Sequence, residues 1–187
     1  FGKLLKFYEK GVLLGVTATP LSSNINIRMR DTYDDLIVGE SISSLINLGY
    51  LANATTWHYQ VGLTSLKVGM NGDYTVSSSE RLYNNLVMQE KLLSAYREKS
   101  LGKKTLIFNN GIATSQYVYA TFQEAGYNIR HLDHKHSGKE RKEILDWFKE
   151  EKDAILTSVS ILTTGFDEPS VESIILNRAT KSLTLYF

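Results

Sequence analysis

The chain has 187 residues, 42% hydrophobic and 22% charged, with a formal net charge of +1, which is ordinary globular composition. It is long enough for one full domain plus extra pieces but not for two, and too evenly charged for a global field to announce a polyanion partner, so a nucleic-acid surface must be a local patch. The absence of cysteine excludes disulfides and thiolate metal sites, no run approaches the roughly 18 apolar residues of a membrane span, and no secretory hydrophobic region opens the chain, so a cytoplasmic protein is expected.

In chain order, "VLLGV" (Val12 to Val16) reads as a short buried strand ending at "TATP", where Pro20 pushes Thr19 toward extended geometry. A lone strand is not stable, so this one is expected to belong to something larger or to dock on a later part of the chain. Ile42, Leu45 and Ile46 follow helical spacing, with Gly49 placed to end the helix. "TTWHYQVGL" (Thr55 to Leu63) reads as a strand, and Met70 to Ser79 as a polar loop. Leu82, Leu86, Leu93 and Tyr96 mark one face of a single long helix. A strand follows at Thr105 to Phe108, then a helix striped by Val118, Phe122 and Ala125 that stops at Gly126, then a strand at Ile129 to Leu132. Ser137 and Glu140 form a capping box for a helix whose buried face is Ile144, Leu145 and Phe148. Strands at Ala154 to Val159 and Ser173 to Leu176 close the pattern. Strands alternating with helices of this length predict an α/β fold, a parallel sheet with helices on both faces. Its ligands would gather at the carboxyl ends of the strands.

The residues by themselves leave several functions open. Gly165, Asp167 and Pro169 read as a tight polar turn that needs no function, and Asp167 could simply cap it. His131, Asp133, His134 and His136 could suggest a metal site, but on a strand end and loop without cysteine a solvated loop is the better reading. Asn109, Asn110 and Gly111 make a turn and helix start. Lys139, Arg141 and Lys142 read as a solvated helix face diluted by Glu140 and Glu143. Tyr117 and Tyr119 suit base stacking or core packing equally.

Five segments in order carry a family resemblance: "GVTATP" (Gly15 to Pro20), "YDDLIVGESISSLINLGYLANA" (Tyr33 to Ala54), "TLIFNNGIATSQYVYATF" (Thr105 to Phe122), "HSGKERKEILDWF" (His136 to Phe148) and "ILTSVSILTTGFDEPSVESIIL" (Ile155 to Leu176). Together they resemble the nucleic-acid-dependent ATPases of helicase superfamily 2, in the branch of restriction-enzyme motor subunits and DNA-repair helicases. The first segment is similar to motif III, the second to the segment joining the lobes, the third to motif IV, the fourth to the helix bearing an arginine (Arg141), and the last to motif V. The resemblance implies that residues 1–24 end a first RecA-like lobe, 25–79 connect the lobes, and 80–187 form most of a second RecA-like lobe. It implies ATP and Mg²⁺ as cofactors of the parent protein, held mostly by residues outside this stretch. DNA is the implied polymer, with RNA second, and the rest of the first lobe is a partner; no membrane is implied. Gly165 and Asp167 would face ATP. Asn109, Asn110, Gly111, Thr163 and Thr164 would face nucleic acid, and Thr17 and Thr19 would couple the lobes. The chemistry suits these roles. A glycine admits backbone N–H groups to a phosphate, threonine hydroxyls contact phosphates without reading sequence, and a carboxylate only accepts, as a ribose hydroxyl requires. The alternative is a non-catalytic RecA-like module that binds nucleic acid or a partner.

Departures from the family pattern matter too. No G-x-x-x-x-G-K-[ST] loop and no Asp-Glu-x-His or Asp-Glu-x-Asp occurs, and Thr164 stands where many relatives carry arginine or glutamate. Phosphoryl transfer depends on such groups, an arginine finger alone contributing ~10³–10⁵ in rate. The isolated 187-residue chain is therefore expected not to hydrolyse ATP, with or without nucleic acid. Phosphate release that tracks the purified chain through successive columns would overturn this.

Overall fold

The computed structural model describes residues 11–17, 28–70, 72–162 and 166–181. The chain divides into two compact units, Phe1–Tyr59 and Gln60–Phe187. Residues 60–79, which read as connector, therefore group with the sheet.

In the first unit no described residue is buried. Its one α-helix among the described residues, α1 (Ile42–Asn47), is capped by Ser41, whose hydroxyl accepts from the Ser44 N–H at 3.1 Å. It ends as its sequence predicts. Gly49 takes a positive φ of 79°, with Gly49 N–H donating to Ile46 O and Tyr50 N–H to Leu45 O, the paired bonds of a left-handed helix stop. Two expected strands do not form. Val12 to Val16 has no strand partner among the described residues, with Val12, Leu14 and Val16 exposed. Thr55 to Leu63 also lacks a ladder, and its last residue opens a 3-10 turn at Leu63–Ser65. β-branched and aromatic composition gives a strand only where a neighbouring strand takes up its backbone groups.

The second unit begins with a tight turn closed by the Val68–Tyr74 bridge. The helix expected from Leu82 to Tyr96 is two helices, α2 (Val76–Tyr83) and α3 (Leu86–Lys99). Part of the predicted loop, from Val76 on, belongs to α2. The break lies at Asn85, whose side chain accepts from Met88 N–H at 3.0 Å and donates to Leu82 O at 2.7 Å. One asparagine thus ends one helix and starts the next.

The sheet comprises β1 (Thr105–Asn109), β2 (Ile129–Leu132), β3 (Ile155–Ser158) and β4 (Ser173–Asn177), all parallel, in the order β2-β3-β1-β4. α4 (Ile112–Glu124) joins β1 to β2, and α5 (Gly138–Glu150) joins β2 to β3. The predicted Ser137–Glu140 capping box is present, and Gly126 has a φ of 83°. Side chains alternate across the sheet. Ile107, Ile129 and Ile155 meet Leu92, Tyr96, Val118 and Phe122 of α3 and α4 on one face. Leu106, Leu132 and Leu156 meet Phe148 of α5 on the other. That second face is covered only in part: Ile174 and Leu176, in register with Leu106 and Phe108, remain exposed.

The stretch read as a tight turn lies within a crossover, where Val171 N–H closes a turn on Glu168 O. Parallel strands cannot be joined directly by a two-residue turn, and the described residues 159–162 and 166–172 carry the chain back along the sheet. They start at its carboxyl end, where Val159 N–H donates to Leu132 O, and finish at its amino end, where Glu172 N–H donates to Lys104 O. Ile161, Leu162, Phe166 and Val171 pack this crossover on the α5 side. Beyond β4 the chain is caught by Asp73. Its carboxylate accepts from Tyr74 N–H (2.8 Å), Thr180 Oγ1 (2.7 Å) and Lys181 N–H (2.8 Å).

Amide hydrogen exchange should separate the two apolar runs that look alike in sequence. Val12 to Val16 should exchange faster than Thr105 to Phe108 by about two orders of magnitude or more, because unpaired segments open at almost no free-energy cost. Equal protection would mean that Val12 to Val16 has a ladder partner.

Candidate functional site

Polar residues gather at the carboxyl ends of the strands: Asn109 on β1, Thr157 and Ser158 on β3, Asn177 on β4, and Asp133 just beyond β2. All five are buried. Asn177 Nδ2 donates to Asn109 Oδ1 at 2.8 Å, and Asn109 Nδ2 donates to Thr157 Oγ1 at 2.8 Å. Thr157 Oγ1 lies 2.9 Å from Ser115 Oγ of α4, and Ser115 Oγ lies 2.9 Å from His131 Nδ1. His131 Nε2 reaches Asp133 Oδ2 at 3.2 Å, and Asp133 Oδ1 meets His136 Nδ1 at 3.1 Å. A continuous polar chain therefore crosses all four strands.

Chemistry fixes its direction. An ionised carboxylate only accepts, so His131 carries its proton on Nε2 and accepts at Nδ1 from Ser115. Ser115 then accepts from Thr157, which accepts from Asn109. Burial, the largest influence, pushes the His131 imidazole below its ordinary value against the pull of Asp133, which keeps the ring neutral. Burial works to raise the Asp133 carboxyl. The Lys135 N–H and the His131 imidazole outweigh it and hold that carboxyl below the usual range. Ser115, His131 and Asp133 thus have the connectivity of a nucleophile, base and orienting acid. Ser115 is fully buried, however, so no substrate reaches its hydroxyl, and the trio is structural.

Other buried polar atoms at the same edge lack partners: Thr114 Oγ1 in the first turn of α4, Ser158 Oγ at the end of β3, and Arg178 Nε just past β4. Arg141 Nε on α5 is also buried and unpartnered, so this arginine is not simply part of a solvated face. Native interiors leave few such groups unsatisfied.

Several residues singled out from sequence are placed differently. Asn109, expected to contact nucleic acid, is fully buried, its carboxamide engaged by Asn177 and Thr157. Asn110 is half-buried and donates to Ser79 Oγ at 2.6 Å. Gly111 is buried beneath Glu80; a Cβ there would lie 2.7 Å from Glu80 Cδ. His131 and Asp133 are not a solvated loop, and among the described residues no group of His, Cys, Asp or Glu could hold a metal ion. Tyr119 packs partly on the core.

On the crossover the two acids divide their duties. Glu168 holds the turn: its carboxylate accepts from Ser170 Oγ at 2.6 Å and Ser170 N–H at 3.2 Å, and its carbonyl accepts from Val171 N–H. The Ser170 hydroxyl lowers the Glu168 carboxyl below its ordinary value. Phe166 turns inward against Phe148, and Asp167 is exposed between them. Capping thus belongs to Glu168, a residue that the sequence did not single out. Thr17 is exposed. Thr19, Thr163, Thr164 and Gly165 lie outside the described residues. Ser115, Thr157 and Asn177 also escape a reading of the sequence. Their one signal is a polar residue at the end of an apolar strand or inside an apolar helix stripe.

The family described as the helicase conserved C-terminal domain matches residues 85–187. A 51.5 kDa protein of a Lactococcus phage (isolate 7-9) is 30% identical over 187 residues, 100% of this chain and 41% of that protein. The provisionally named ATP-dependent helicase IRC3 of Saccharomyces cerevisiae is 28% identical over 158 residues, 81% of this chain and 23% of that protein. The chain thus spans less than half the length of either relative. Among solved structures, T4 UvsW is similar over 60% of this chain and 24% of its own, with a TM-score of 0.47 and 10% identity.

The neutral, partly buried His131 makes stability depend on pH. Below the ordinary imidazole pKa of about 6.5 the unfolded chain binds a proton that the folded chain refuses, so stability is full above that value and is lost as pH falls toward the lowered folded pKa. The limiting slope is about 1.4 kcal/mol per pH unit. The melting temperature should therefore fall between pH 7.5 and 5.5, and His131→Gln should flatten that dependence. An identical slope in His131→Gln would show that another group titrates.

Proposed function

Because this chain belongs to the family of helicase conserved C-terminal domains, we propose that it is the second lobe of an ATP-dependent helicase or translocase moving on nucleic acid, DNA first and RNA second. The observation that carries this is the family match over residues 85–187, which includes every strand of the parallel sheet. The names of relatives such as IRC3 support ATP as the fuel. A cytoplasmic location, kinship with restriction-enzyme motors and DNA-repair helicases, and docking of the connector on a first lobe belong to the same proposal.

ATP with Mg²⁺ supplies the free energy of lobe closure and reopening. This chain's own residues have narrower tasks. The exposed Asp167 carboxylate fits a ribose hydroxyl, because it offers only acceptors while Glu168 holds the turn in its place. Gly165, Thr163 and Thr164 are assigned to phosphate contacts through backbone N–H groups and hydroxyls, which grip a backbone without reading its bases. Thr17 and Thr19 are assigned to coupling between lobes. The buried Asn109 serves by holding the carboxyl edge rigid. Gly111 and the start of α4 become accessible to a phosphate only if the Glu80 side chain swings away.

The test uses the complete helicase. Asp167→Ala should cut kcat/KM for ATP by roughly ten- to hundredfold, the worth of one charge-assisted hydrogen bond of about 1.5–3 kcal/mol, and leave the melting temperature unchanged. Glu168→Ala should do the reverse, lowering the melting temperature with near-normal kinetics in the folded fraction. An Asp167→Ala enzyme that melts early yet keeps normal kinetics would sink the nucleotide role.

A further inference from the structure

β2 is an edge strand, and on its flank lies a cavity of about 420 Å³ lined by Gln116, Tyr119, Arg130, His131, His136 and Ile144. Gln116 and Tyr119 sit beyond the first turn of α4, and Ile144 near the middle of α5. The cavity is therefore neither at a helix N-terminus nor on the crossover that bears Asp167. Cavities of a few hundred Å³ take organic ligands rather than bare ions.

Its lining has one chemical character. Apart from Ile144, every lining side chain carries a hydrogen-bonding group, and none is acidic. The Arg130 guanidinium lies 4.5 Å from the centre of the Trp147 ring. Stacking fixes the plane of a guanidinium while leaving the N–H groups at its edge available. Among the described residues Arg130 has no carboxylate partner. The imidazoles are held from behind. His131 is fixed by Ser115 and Asp133. His136 Nδ1 sits against Asp133, 3.2 Å from its N–H and 3.1 Å from its Oδ1, which leaves Nε2 as the nitrogen not engaged by that residue. The two rings meet edge to face with centres 5.7 Å apart. Asp133, the one nearby acid on the β2 loop, is almost fully buried behind them.

A cationic fork, an imidazole ring and a carboxamide on three separate elements suit an oxyanion with several acceptor oxygens. Side chains locked in advance lose little freedom when they bind it. A solvent-filled dent would need neither the stacked arginine nor two immobilised imidazoles on a buried acid. We propose that this cavity binds a phosphate monoester on a small organic body of up to nucleotide size, with Arg130, His136 and Gln116 on the phosphate and Tyr119 and Ile144 against the body. A free mononucleotide and the 5′-phosphorylated end of a nucleic-acid strand share this chemistry. The inference stands independently of the Asp167 assignment.

The test is titration of the full chain, followed by NMR of the histidine side-chain nitrogens. Inorganic phosphate should shift His136 saturably, and thymidine 5′-monophosphate should do so at least tenfold more tightly. Arg130→Gln, a change at an exposed position, should weaken the nucleotide at least tenfold without altering the melting temperature. Arg130→Lys should recover part of the loss, since it restores charge without the fork. A 5′-phosphorylated single-stranded oligonucleotide that binds more tightly than the mononucleotide, and more tightly than its unphosphorylated twin, would assign the site to a strand end; weaker binding would assign it to a free small molecule. No saturable shift at His136, equal affinity for phosphate and nucleotide, or undiminished binding in folded Arg130→Gln would overturn the proposal.

Discussion

The Asn109 carboxamide can satisfy the centre of the sheet in one orientation only. Its oxygen accepts from Asn177 and its nitrogen donates to Thr157. Flipped, it would set oxygen against a hydroxyl whose proton is already committed and nitrogen against nitrogen. The order of protons fixes the choice, and that order is imposed at the far end of the chain by Asp133, which can only accept. A backbone ladder tolerates many side chains, and its register depends on what those side chains meet. Here a slip of one residue in any strand would turn these polar groups into the apolar faces. Each buried donor or acceptor left without a partner costs about 1–3 kcal/mol. Rigidity at the carboxyl edge is thus built from side chains as well as from the ladder.

That rigidity frames the crossover. Phe166 is anchored in the apolar layer against Phe148, Glu168 closes the turn on Ser170, and Asp167 is left facing solvent between two fixed neighbours. A carboxylate on a mobile loop would lose freedom on meeting a ligand; one held on both sides loses little. The same division of labour recurs around β2, where Asp133 lies inside and positions imidazoles that face outward.

The parts of the fold legible in the sequence are those with local causes. β2, the Ser137–Glu140 cap, and the stops at Gly49 and Gly126 follow from alternation, capping chemistry and the left-handed freedom of glycine. The parts that are not legible depend on distant partners. Val12 to Val16 is as apolar as β1, but nothing local says whether another strand lies beside it. Asn85 splits a helix because its side chain finds two backbone partners at once, which a helical stripe through Leu82 and Leu86 hides. Asn109 read as part of a turn and His131 as part of a solvated loop; their places in the polar chain depend on Thr157, Ser115 and Asp133, which only the sheet order brings together. The turn read at Asp167 is local, but that it lies within a connection running back along the sheet follows only from the parallel order of β3 and β4.

Asp73 closes a long circuit. By gripping Thr180 and Lys181 it ties the entrance of the sheet domain to the chain leaving β4. If the domain is pulled, such a tie decides where load is borne. A pull between entrance and exit would meet the two short bonds from Thr180 and Lys181 to one carboxylate before it reached the strands. The grip would give way first, and slack would be taken up outside the sheet while Asn109 and its partners kept their order.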